Sequence, residues 1–205
     1  VDAGRVAVIG HSYGGRAALA MVGARFDGAR QQRECAAGAE GDRRCAMVPV
    51  FGPRGYRYRD PRVKAAVLLT PAGYRFYRDD GVAAADAPTL VVGAREDRTN
   101  PFGEFHRPVF EALRGQRHLL ELTPAGHLTA TDVCELVDSI GFFARTFGGE
   151  RARDGCGEGF MSDREALDRV GRATLAFLSL YVDERPEAAF ELAEALRPTV
   201  RTAAR

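Results

Sequence analysis

Four short apolar runs, separated by polar and glycine-containing segments, outline the chain. Val6-Ala7-Val8-Ile9, Val63–Leu69, Thr89–Val92 and His118–Leu122 are largely continuous rather than alternating, the pattern of strands buried on both faces of a parallel sheet. Between and after them lie segments with helical character. Arg16–Val22 is built mostly of good helix formers. Phe102–Arg114 predicts a helix kinked or restarted at Pro108 and stopped by Gly115. Tyr74–Ala87 reads as a loop or short helix and Asp132–Ile140 as a short helix. Ser162-Asp163 caps a long helix whose Leu167, Val170, Thr174, Phe177 and Tyr181 form an apolar stripe for core packing. Pro186 opens a last amphipathic helix ending near Leu196, and Arg197–Arg205 reads as a frayed tail. Strands alternating with helices predict an α/β protein with a mostly parallel sheet flanked by helices.

At 205 residues the chain can bury one sizeable core, and residues 1–205 are read as a single domain. A formal charge of +1 argues against nucleic acid or an anionic membrane as the main partner. No apolar run is long enough for a transmembrane segment. The irregular stretch 26–62 is too long for a plain loop inside a compact domain. It holds a possible short helix at Gln31–Glu34 and an apolar run at Ala46–Phe51, which suggest a folded, lid-like excursion. That excursion either walls an acyl pocket or is a surface insertion. Four cysteines, Cys35, Cys45, Cys134 and Cys156, fall in two local pairs without C-x-x-C spacing or a histidine at ligand spacing, so no metal site is expected. Disulfides Cys35–Cys45 and Cys134–Cys156 are the preferred connectivity of three, and imply a periplasmic or secreted protein. Four reduced cysteines in a cytosolic protein are the alternative.

The first apolar run leads into Gly10-His11-Ser12-Tyr13-Gly14-Gly15, a G-x-S-x-G pattern followed by helix formers. Strand, sharp turn and helix would leave the Ser12 hydroxyl exposed above the sheet, with glycines at the flanking positions avoiding clashes. The Tyr13 N–H would then point at a developing oxyanion. Catalytic groups in such sheets collect at the carboxyl ends of the strands. Asp97 follows the third run and His127 the fourth, so Ser, Asp and His occur in the chain order of a hydrolase triad. A serine hydroxyl needs a base to become nucleophilic; His127 can supply it, and Asp97 can hold the imidazole in the right tautomer. Glu96 is the competing acid. His11 lies inside the turn, too constrained to act as a base, and is taken as substrate-binding. His118 opens a strand and His106 sits on a helix, where a satisfied or solvated ring is expected. Such a triad needs no metal or organic cofactor.

The chain resembles the C-terminal two-thirds of an α/β-hydrolase, specifically the bacterial dienelactone-hydrolase-like and platelet-activating-factor-acetylhydrolase-like branch. The match rests on Gly10–Gly15, Asp60-Pro61-Arg62-Val63-Lys64-Ala65, Thr70-Pro71-Ala72-Gly73, Gly93–Pro101 and Ala125-Gly126-His127, with Gly155-Cys156-Gly157 and the cysteine-bearing excursion in support. It runs over about residues 4–182. The resemblance implies Ser12 as nucleophile, Asp97 as acid, His127 as base, and the Tyr13 N–H as one oxyanion donor. It also implies hydrolysis of small or lipid-like carboxylic esters with short or modified acyl chains. Dienelactone hydrolases use cysteine where this chain has Ser12, which favours esterase chemistry. The family's first four strands, and the loop supplying the second oxyanion donor, are not in this sequence. The expectation is therefore a fragment whose partner is the missing N-terminal part, with Val6–Ile9 as an exposed edge. Two other readings use the same residues: a serine peptidase or thioesterase, and a catalytically silent domain pairing through that edge.

Overall fold

In the computed structural model, which describes residues 2–37, 45, 54–140 and 153–197, the chain begins with β1 (Val6–His11), α1 (Tyr13–Met21), β2 (Arg25–Phe26) and α2 (Gly28–Ala36). It continues through β3 (Tyr56–Arg57), β4 (Val63–Leu69), α3 (Tyr74–Val82), β5 (Thr89–Ala94) and α4 (His106–Ala112). It ends with β6 (Arg117–Leu122), α5 (Val133–Ile140), α6 (Asp163–Tyr181) and α7 (Ala188–Ala195). Strands β1, β4, β5 and β6 form one sheet in that order, every neighbouring pair parallel. β2 and β3 make a separate antiparallel pair.

The continuous apolar runs of β4 and β5 have a direct structural cause. Successive strand side chains point to opposite faces, and both faces are covered. Ala66 and Leu68 of β4 pack with Leu19, Val22, Val109 and Leu113 on one side. Ala65 and Val67 pack with Ala166, Val170, Ala173 and Phe177 on the other. The result is a parallel sheet between two helical layers, with α1, α3 and α4 on one face and α6 and α7 on the other.

β1 departs from the expectation of a strand buried on both faces. It lies at the sheet edge and pairs only with β4 among the described residues. Ile9 is 51% exposed and Val6 38%, so its apolar character reflects an uncovered edge rather than a buried centre.

Helix boundaries differ in several places. α1 starts immediately after Ser12, earlier than the helix formers suggest. α2 is longer than Gln31–Glu34 because the Asp27 side chain caps it, accepting from Arg30 N at 2.9 Å. Tyr74–Val82 is helical but interrupted at Arg78, whose φ is 59°. α4 is shorter than Phe102–Arg114, and Pro108 causes no kink because it sits in the first turn, where no intrahelical N–H is required. α6 begins at its expected Ser162 cap, which accepts from Glu165 N. Its buried face is Ala166, Val170, Ala173, Ala176 and Phe177, while Leu167, expected in the stripe, is 42% exposed. Three alanines let the α6 backbone lie close to the sheet.

Within the excursion, α2 and the β2–β3 pair are formed, whereas the run Ala46–Phe51 lies outside the described residues, as does the tail beyond Arg197. The disulfides Cys35–Cys45 and Cys134–Cys156 are both present, in the expected connectivity. No helix among the described residues is long and apolar enough to cross a membrane.

Candidate active site

Ser12 occupies the turn between β1 and α1 with φ 55° and ψ −113°. This is a positive-φ conformation that is strained for a residue with a side chain. Three backbone bonds hold it: Ser12 N donates to Leu69 O at 2.9 Å, and Ser12 O accepts from Arg16 N at 3.2 Å and Ala72 N at 3.0 Å. The turn is tight at Gly10, where a Cβ would stand 2.2 Å from the Gly14 backbone. At Gly14 a side chain would meet open space, so the second glycine of the pattern is not demanded by packing. Tyr13 is the first residue of α1, so its N–H has no acceptor within the helix and lies at the positive end of the helix dipole.

The loops after β5 and β6 bring Asp97 and His127 together. His127 Nδ1 donates to Asp97 Oδ2 at 2.7 Å, and both side chains are buried. Asp97 Oδ1 accepts from Thr99 N at 2.8 Å and Asn100 N at 2.6 Å. Bonds of this kind fix the orientation of the carboxylate. With Nδ1 committed to Asp97, the neutral imidazole keeps its Nε2 lone pair as a base.

His11 links the base to the serine turn. Its Nε2 donates to the His127 carbonyl at 2.9 Å, and the two rings lie 4.7 Å apart. Burial lowers the pKa of His11, partly countered by that hydrogen bond. Thr70 Oγ1, at the end of β4, donates to the same carbonyl at 3.4 Å. Ser12 Oγ itself makes no hydrogen bond among the described residues.

The competing acid, Glu96, is occupied elsewhere. Its carboxylate accepts from Ala125 N at 2.7 Å and Thr123 Oγ1 at 3.0 Å, bracing the turn before His127. His118 bonds to the Tyr181 hydroxyl at 2.8 Å, as expected of a satisfied ring. His106 is neither satisfied nor solvated: it is wholly buried, with no hydrogen bond on either ring nitrogen among the described residues.

Asp154 has a role that sequence reasoning missed. Its Oδ2 accepts from Arg98 N at 3.0 Å, Thr99 N at 2.8 Å and Thr99 Oγ1 at 2.7 Å, all in the loop that carries Asp97. Its carbonyl accepts from Leu128 N at 2.8 Å, beside His127. Next to it, Gly155, at φ 98°, packs against Gly126 so closely that a Cβ on Gly126 would fall 2.5 Å from Gly155 Cα. Gly155 O accepts from Thr129 Oγ1 at 2.9 Å. Residues 153–157 thus grip the loops bearing Asp97 and His127 at once, and Cys156 ties them to α5 through Cys134. The cluster Asp154-Gly155-Cys156-Gly157 is visible in the sequence, but its partners lie up to 56 residues away.

Asp97 and His127 therefore meet as expected, with Ser12 at the carboxyl end of the same sheet. No group of three or more His, Cys, Asp or Glu side chains placed to hold a metal ion occurs among the described residues. Neither a protein-family model nor a curated protein matches the chain.

Proposed function

We propose that this chain is a serine hydrolase of the α/β-hydrolase type that cleaves carboxylic esters. The observation that carries the reading is the buried Asp97–His127 hydrogen bond of 2.7 Å at the strand ends of a parallel sheet whose edge strand runs into the strained Ser12 turn. Acid and base are already oriented, and the serine stands at a helix N-terminus.

In the reaction, Ser12 Oγ attacks the ester carbonyl while His127 Nε2 takes its proton. Asp97 keeps Nδ1–H in place and stabilises the imidazolium. The oxyanion of the tetrahedral intermediate accepts from the Tyr13 N–H. Collapse breaks the bond to the alcohol, which leaves with the proton from His127, and an acyl-serine remains. Water, deprotonated by His127, attacks the acyl-serine; the acid departs and the Ser12 hydroxyl is restored. Esters are favoured over amides because an alcohol is the easier leaving group. The two disulfides support a site of action in an oxidising compartment, periplasmic or extracellular.

The test is labelling with a fluorescent fluorophosphonate, on the chain and on Ser12→Ala, followed by a panel of ester, thioester and amide substrates. Labelling that disappears in Ser12→Ala, with ester turnover leading the panel, is the expected result. That β1 pairs only with β4 among the described residues favours a second reading, a catalytically silent domain that pairs through that strand. A folded protein whose Ser12 does not react with the phosphonate decides for that alternative.

A further inference from the structure

His106, the first residue of α4, is 0% exposed, and neither ring nitrogen makes a hydrogen bond among the described residues. A buried polar group left unmet is destabilising, and an apolar side chain of similar size would avoid that cost. One side of the ring is apolar, with Phe102 packed edge-on at 5.8 Å between ring centroids. Elsewhere Nε2 stands 3.4 Å from Asp97 Oδ2, the oxygen that also accepts from His127 Nδ1. No hydrogen bond is formed across that separation, yet it is close enough for electrostatics to choose the ring's tautomer.

Three titratable groups bear on the ring: Asp97 and His127 on the loops after β5 and β6, and His11 at the end of β1. Burial first, then His127 and His11, push the pKa of His106 down to about 3, so the ring is neutral. A neutral imidazole carries one proton. On Nδ1 it would meet no acceptor among the described residues, and the bare Nε2 lone pair would face a carboxylate oxygen in a buried site. On Nε2 it faces that carboxylate as a donor.

We propose that His106 is a positioning residue for the acid: in its Nε2–H tautomer it offers Asp97 Oδ2 a second donor, so that this oxygen is shared between two imidazoles. The inference rests on Asp97 and His127 being the acid and base of the site. Sharing restrains rotation of the carboxylate.

The test is NMR of the histidine rings in the full chain. In the wild-type protein the ¹⁵N shifts of His106 should report a neutral ring protonated at Nε2 from about pH 5 to about pH 8. In His106→Leu the titration midpoint of His127 should move up, because Oδ2 no longer divides its charge. The amide of His106→Gln can donate from the same position, and should bring the midpoint back towards wild type. A proton on Nδ1, or an unchanged His127 midpoint in folded His106→Leu, overturns the inference. Should His106→Leu fail to fold, the wild-type tautomer and the His106→Gln midpoint decide alone. Phosphonate labelling of the wild-type protein keeps the two questions apart. Its absence would sink the hydrolase reading, while the ring shifts still settle the contact between His106 and Asp97.

Discussion

His106 gives a single side chain a measurable hold on acid stability. Its pKa falls from an ordinary 6.5 to about 3 in the folded chain, chiefly through burial. Between those values the unfolded chain binds a proton that the folded chain refuses, so stability rises with pH across the window and is lost on acidification. The slope from this one group is at most about 1.4 kcal/mol per pH unit. Thermal unfolding followed from pH 7 to pH 4 should therefore drop more steeply for wild type than for His106→Leu. His11 and His118 are shifted in the same direction, but they are common to both proteins and cancel in the comparison. Parallel decline of the two would show that His106 is not the source. Ser12, Asp97 and His127 stood out as candidates in the sequence because each follows an apolar run at a strand end. His106 could not, since helical spacing alone does not reveal that its neighbour is a carboxylate from another loop.

Among the elements, the segment 153–157 joins the parts of the site. Through Asp154 and Gly155 it contacts the loops bearing Asp97 and His127, and the Cys134–Cys156 disulfide anchors it to α5. Replacing both of these cysteines with serine is expected to lower stability by roughly 3 kcal/mol. It should also slow phosphonate labelling at Ser12, because the acid and base loops lose a shared support. Unfolding curves measured beside labelling rates check both effects; labelling at the wild-type rate in a destabilised but folded variant would show that the grip is not needed. Strands and most helices were legible from hydrophobic period and capping residues. The buried face of α6 was not: large apolar residues suggested Leu167, whereas close approach to the sheet selected alanines.

At the scale of the whole molecule, the sheet is covered on both faces at β4 and β5, whereas β1 pairs only with β4 among the described residues. An exposed apolar edge with unpaired backbone groups is a template for association. The protein is therefore expected to self-associate with rising concentration, and Ile9→Lys should suppress this by placing a charge on the edge. Sedimentation velocity over a concentration series would check it; unchanged behaviour of Ile9→Lys would mean that association does not use β1.

The positions of the four parallel strands, the glycine-bounded turn at Ser12 and the chain order of Ser12, Asp97 and His127 were determined by the sequence itself, because strand period and turn chemistry act over a few residues; the short β2–β3 pair was not among them. The sequence also carried the pairing of Cys35 with Cys45 and of Cys134 with Cys156, since each pair is close along the chain. Only the tertiary structure decided which carboxylate meets His127, leaving Glu96 to brace a turn 29 residues away. It alone placed Asp154 across two loops and His106 against Asp97. These contacts join segments that strand register brings together, and no local pattern encodes where two distant loops will touch.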